Sequence, residues 1–181
     1  MQFEPLKLPG TYKIELAPKY DARGYFSRVF DEAIMREHGL VTEWVQENQA
    51  FSAQKGTLRG LHFLLPPHTE TKLLRVVAGR LLTVWVDLRK ESPTFGQWDS
   101  LELDAAHPTL AYIPKGVANS ICTLTDNVTL CYRVDSAYAP AFDAGIRWND
   151  PTLNIDWPVD DPILSERDRE LPFFSEFESP F

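Results

Sequence analysis

Several absences narrow what this chain can be. No stretch of about 18 apolar residues is present to cross a bilayer as a helix. Nor does a basic-then-apolar leader open the chain, so a soluble, cytoplasmic protein with no membrane partner is expected. Positive charge is scarce: 18 Lys and Arg stand against 26 Asp and Glu, a net charge of −8. That balance argues against nucleic acid as a partner, although a few local arginines still suit a small anionic ligand. Cysteine is nearly absent, and Cys122 and Cys131 form no metal motif. Internal repeats, low-complexity segments and linkers are missing too. The 181 residues therefore read as one domain with a core of its own.

What is abundant points to β structure. Fourteen prolines, eleven phenylalanines and five tryptophans favour strands and tight turns. Asp21-Ala22-Arg23-Gly24 reads as a turn into a strand over 25–30, and 31–39 as a short helix closed by Gly39. Strands follow over 44–48, 56–63, 72–78, 81–88, 98–103, 111–113, 120–124 and 129–135. Gly79-Arg80 reads as a two-residue hairpin turn whose register sets Lys72 opposite Asp87, Leu74 opposite Trp85 and Val76 opposite Thr83. A second such turn at Asp126-Asn127 sets Cys122 opposite Cys131, and in a reducing cytosol these are expected as packed thiols. Many short antiparallel strands predict a mainly β fold, a double-sheet jelly-roll barrel of cupin type with a few short helices. The tail from about residue 139, rich in Pro, Asp and Trp, is expected to wrap the barrel.

The stretch Thr57-Leu58-Arg59-Gly60-Leu61-His62-Phe63 is too polar for an ordinary buried strand. An arginine can hold an anion, a histidine can move a proton near neutral pH, and Gly60 allows a ligand or backbone to come close. Cupin metal sites pair His-x-His and a nearby Glu with Pro-x-Gly-x-x-His. Here the first block reads His62-Phe63-Leu64, with His68 and Glu70 beyond it, and the second ends in Asn119. An amide is a poor ligand where imidazole or thiolate is preferred, so no metal is expected.

Arg59-Gly60-Leu61-His62-Phe63, Lys72, Val86-Asp87-Leu88-Arg89, Ser92-Pro93-Thr94-Phe95-Gly96-Gln97-Trp98 and Ile113-Pro114-Lys115-Gly116 form an ordered series of blocks. Tyr132, Tyr138-Ala139-Pro140, Trp148-Asn149-Asp150-Pro151, Ile155-Asp156-Trp157-Pro158 and Leu164-Ser165-Glu166-Arg167-Asp168 continue it. Together, from about Asp21 to Pro172, they resemble the dTDP-4-dehydrorhamnose 3,5-epimerases. The resemblance implies a cofactor-independent, metal-free isomerase that works as a homodimer on a nucleotide-diphosphate keto-sugar, with N-terminal strands exchanged between subunits. It implies His62 as base, Asp168 as the group fixing its tautomer, Tyr132 as the acid on the opposite face, and Lys72 as the donor to the enolate oxygen. It further implies substrate contacts from Arg23, Arg59, Gln46, Asn48, Arg28, Asn119 and Arg167. Phe26 and Tyr138 would sandwich the base, Phe26 being donated by the second subunit. Taken singly, Tyr132 reads equally as a core tyrosine, Asp168 as a helix cap and Lys72 as a surface partner of Asp87.

Four positions depart from the family pattern. Arg28 stands where a glutamate is common, Thr83 where an aspartate is, Leu64 where a glutamine is, and Asn119 where a histidine is. None removes a proton-transfer residue. They leave open an epimerase that inverts only C3 or C5, or one acting on a CDP- or GDP-linked sugar. A non-catalytic sugar-nucleotide-binding barrel is the reading from another class, and the retained His, Lys, Tyr and Asp set argues against it.

Overall fold

A computed structural model describes all residues, Met1–Phe181. The chain begins with β1 (Gln2–Pro5), β2 (Tyr12–Glu15), β3 (Lys19–Asp21) and β4 (Gly24–Phe26), then helix α1 (Glu32–Glu37). Next come β5 (Gln46–Ser52), β6 (Leu58–Leu64), β7 (Lys72–Ala78), β8 (Arg80–Asp87) and β9 (Trp98–Asp104). After these run β10 (Thr109–Ile113), β11 (Val117–Thr123), β12 (Val128–Val134), β13 (Asp143–Gly145) and helix α2 (Glu166–Glu170). One antiparallel sheet has the order β1-β2-β10-β7-β12-β5, and a second has β13-β6-β11-β8-β9. Strands β3 and β4 form a separate hairpin.

The two sheets face each other over a core that holds Leu74, Val76, Ala111, Ile113 and Leu130 from the first and Leu81, Trp85, Leu103 and Ile121 from the second. Each sheet is also covered on its outer face. Ile14, Leu73, Leu110 and Tyr112 pack with Met35 of α1, Phe30 and Trp44. Phe63, Val86, Leu88 and Ala118 pack with Phe174, Phe177 and Phe181 of the tail. Double coverage explains why β7 and β8 are apolar on both faces.

Both expected hairpins are corrected. Strands β7 and β8 lie in different sheets, as do β11 and β12. Lys72 is paired with Ile113 and Val134, and Asp87 with Val117. Gly79, at φ +73°, turns a corner from one sheet to the other. A local pattern of glycine between apolar strands looks the same whether the chain folds back beside itself or crosses the sandwich. Leu74, Val76 and Trp85 do meet, but through the core rather than side by side. Cys122 and Cys131 consequently sit on opposite sheets as free, buried thiols.

Other boundaries moved less. The strand expected over 25–30 ends at Phe26, because Asp31 begins α1 by accepting from the Ile34 amide. Strand β5 runs beyond the expected end at residue 48 to Ser52; its Gln, Glu and Asn residues hid an edge strand held by backbone pairing to β12.

Candidate active site

Between the sheets, at the β6 end, lies a cavity of about 530 Å³ that includes Arg59, His62, Lys72, Asn119, Tyr132, Arg167 and Asp168 in its wall. A second chamber of about 390 Å³ adjoins it, with Gln46, Asn48, Leu64, Glu70, Tyr138 and Asp143 around it. His62, Lys72 and Tyr132 line both.

Local geometry explains how Arg59 and His62 reach the same chamber. Three residues apart on a regular strand, they would point to opposite faces. Strand β6 pairs Arg59 with Ile121 and His62 with Asn119, so three steps on β6 match two on β11. The extra residue is a bulge, which restores the parity and turns both side chains inward. Gly60 sits at the bulge with φ +110°, and a Cβ there would lie 2.6 Å from the Asn119 carbonyl oxygen. The sequence allowed a ligand or backbone to approach this glycine; it is backbone that does so.

His62 Nε2 lies 2.6 Å from Asp168 Oδ1. Asp168 stands in α2, whose first turn is capped by Ser165 accepting from the Asp168 amide at 3.1 Å. Asp168 is therefore capped rather than capping, and its carboxylate is free to face His62. Burial works against its ionisation, but bonds from His62, the Gly60 amide and Ser165 outweigh it and hold the carboxyl below its ordinary range. An ionised carboxylate can only accept, so His62 directs its Nε2 proton at Asp168; in the neutral ring that leaves the lone pair on Nδ1.

Tyr132 approaches from β12 of the other sheet. Burial, then the negative charge of Glu70, pushes its phenol up from the ordinary value, which keeps it a proton donor. Lys72 opens β7 and its ammonium lies 3.2 Å from Glu70. Arg59 is braced by the Phe51 carbonyl at 3.1 Å and by Ser52. At the rim, Gln46 accepts from the Tyr138 amide at 2.6 Å, and Tyr138 donates its hydroxyl to Asp143 at 2.9 Å. Asp143 also pairs with Arg167 at 2.8 Å. His62 and Tyr132 thus come from facing sheets, with Lys72 and two arginines around the space between them.

A family model described as dTDP-4-dehydrorhamnose 3,5-epimerase matches residues 5–176. The chain belongs to this family. It is 42% identical over 171 residues to a dTDP-4-dehydrorhamnose 3,5-epimerase of Methanothermobacter thermautotrophicus, covering 93% of this chain and 91% of that one. It superposes with a TM-score of 0.93 on a dTDP-4-dehydrorhamnose 3,5-epimerase from Bacillus anthracis with TDP and PPi bound, at 39% identity over 95% of this chain and 98% of that chain. A 3'-monoepimerase from Streptomyces bikiniensis in complex with dTDP-quinovose is also similar, with a TM-score of 0.88 and 36% identity over 94% and 87% of the two chains. This epimerase is accordingly an isomerase of sugar nucleotides with the cupin-like jelly roll expected of it.

Three of the substrate contacts expected in this epimerase lie elsewhere in the single chain. Arg23 is exposed on the β3–β4 hairpin and bonds Asp21. Phe26 is 68% exposed and lines a separate groove with Tyr25 and Val77. Arg28 pairs with Asp31. Two of the departures prove to be one: Asn119 donates to Thr83 at 2.8 Å, so a neutral pair stands beside His62, with Asn119 in the wall and Thr83 buried behind it. His68, weighed above as a metal ligand, lies with its ring 4.5 Å from that of Phe142. Lys72 pairs with Glu70 and not with Asp87, which is buried in a different network. Sequence reasoning weighed Glu70 only for a metal site it rejected and missed Asp143, since neither belongs to a block that carried the resemblance.

Proposed function

We propose that this epimerase inverts C3 and C5 of dTDP-4-keto-6-deoxyglucose to give dTDP-4-keto-rhamnose. The observation that carries the reading is the opposition of His62 and Tyr132 across one cavity, from different sheets, with Lys72 lining the same space. Inversion needs a proton taken from one face of a carbon and returned to the other. The C4 ketone acidifies the neighbouring C–H bonds. His62 Nδ1 takes the proton, the C–H electron pair moves into the ketone, and the C4 oxygen becomes an enolate. Lys72 stabilises that charge as an oxyanion donor. The Tyr132 phenol then protonates the same carbon from the far side, and solvent restores both groups. Asp168 holds the imidazolium meanwhile. Substrate and product share one formula, so the step needs no redox partner.

Arg59 would grip the diphosphate, whose oxygens suit a guanidinium fork. Gln46, Asn48, Asn119, Arg167 and Tyr138 complete the contacts within one chain. The remaining ones, Arg23, Phe26 and Arg28, are assigned to the neighbouring subunit of a homodimer. Support comes from the exposed aromatic hairpin, where Tyr20, Tyr25 and Phe26 are each more than half exposed. A cytoplasmic setting agrees with two free thiols.

Incorporation of solvent deuterium at C3 and C5 of dTDP-4-keto-6-deoxyglucose tests the reaction. His62→Ala should lower that exchange by about 10²–10⁴-fold while dTDP still binds. An unchanged rate in this variant would remove His62 from the chemistry. Inversion of a single carbon is the second reading, favoured by the similarity to a 3'-monoepimerase and by the neutral Thr83–Asn119 pair beside the base. Exchange confined to one carbon would establish it.

A further inference from the structure

Lys72 brings an almost buried ammonium into the wall shared by both chambers. Such a charge requires compensation, because an unpaired buried ion costs several kcal/mol. One carboxylate lies within ion-pair distance, Glu70, with Oε1 3.2 Å from Nζ, and the two side chains are 14% and 11% exposed. Neither makes any other ion pair. Glu70 and Lys72 are two residues apart at the entry to β7, so they share one side of the backbone. Thr71, between them, is buried and fastened by its amide to Asp135 at 2.6 Å, and Asp135 is held in turn by Lys115 at 3.1 Å. The segment that carries Glu70 is therefore anchored. Asp143, another carboxylate of the second chamber, is already engaged by Tyr138 and Arg167.

We propose that Glu70 is a positioning residue: it docks the Lys72 ammonium at the junction of the two chambers and aims it at the oxygen where enolate charge develops. The role rests on the epimerase reading above. A lysine ammonium has three N–H donors, and one contact to Glu70 leaves the others for the ligand. A single tether also suits a group that must be in place before the charge appears and yet yield to it. The charge of Glu70 has a second effect in the same chamber, since it helps keep Tyr132 a neutral phenol.

The test is a double-mutant cycle on the full-length enzyme, read by kcat for deuterium exchange and by dTDP affinity. Glu70→Ala is expected to lower kcat by about tenfold, the scale of a displaced catalytic group, with the Kd for dTDP within about twofold. Glu70→Gln keeps an acceptor against the ammonium and should recover most of that loss. Its rate should fall at lower pH on the alkaline side, because Tyr132 loses a negative neighbour. In a Lys72→Met background Glu70→Ala should change nothing further. A wild-type kcat in Glu70→Ala, or an equal loss in both backgrounds, would overturn the proposal. Nitrogen-15 NMR gives a readout independent of turnover. A Lys72 ammonium signal protected from solvent exchange in the wild type should be lost in Glu70→Ala, and its persistence would count against docking. If the wild type exchanges no proton, the epimerase reading fails, while this signal still decides whether Glu70 holds Lys72.

Discussion

Asp87 has no exposed surface, yet the Arg89 guanidinium, the Ser92 and Thr94 hydroxyls and the Arg89 amide all bond its carboxylate. Burial alone would raise its pKa, but these donors prevail and hold it at about 2. Because the folded value lies below the unfolded one of 3.8, the group contributes stability above about pH 4 and loses it as pH falls towards 2. Arg89→Met leaves a buried carboxylate with its principal cation gone. The expected outcome is a loss of about 3 kcal/mol at neutral pH and an acid-unfolding midpoint moved to higher pH, both measurable by urea denaturation across a pH series. At this scale the sequence was legible where residues fell in recognisable blocks: His62, Lys72, Tyr132 and Asp168 stood out together. Glu70 was noted only beside a rejected metal block, and Asp143, a lone carboxylate among small and apolar residues, carried no signal at all. Only the fold carries them to the chamber.

At the scale of elements, β6 shows how one glycine decides a site. Its bulge turns Arg59 and His62 to the same side, and its amide donates to Asp168 Oδ2 at 3.4 Å. Gly60→Ala must place a methyl group against the Asn119 carbonyl in a backbone conformation that side chains disfavour. It should destabilise by about 2 kcal/mol or more and depress turnover beyond what the lost stability explains. Thermal melts paired with kcat on the folded fraction would separate the two effects. The sequence flagged Gly60 as a place of close approach but gave no means of seeing the bulge. Pairing partners are set by the other strand, and β11 lies some sixty residues further on. The corners at Gly79 and Asn127 were misread for the same reason. Their local chemistry satisfies a hairpin, while the choice between neighbour and opposite sheet is made by coverage of both outer faces.

For the whole molecule, the placement of contacts predicts a shared site. Arg23, Phe26 and Arg28 lie outside both chambers of their own chain, whereas His62 lies within. If Phe26 serves the neighbouring subunit, Phe26→Ala and His62→Ala damage different halves of one composite site. Mixed dimers of the two variants should then regain activity, because one of their two sites receives an intact Phe26 and an intact His62. Each variant alone should stay impaired, and the regained activity is expected to disappear on dilution as subunits part. Mixing that restores nothing would show that each chain builds its own base platform.

The seating of His62 and Tyr132 on opposed sheets also sets a limit on how this enzyme can change. Packed sheets stand about 10 Å apart, a gap fixed by the side chains of the common core. His62 and Tyr132 therefore act as the jaws of a caliper whose opening is set by Leu74, Trp85 and their neighbours rather than by any loop. A thicker or branched ring cannot be admitted by editing the rim; the core itself would have to be rebuilt, at a cost in stability. In the reading proposed above, the nucleotide end meets exposed groups such as Tyr138 and Arg59, which are free to drift. Descendants of this chain should accordingly change their nucleotide more readily than the girth of the sugar they turn over.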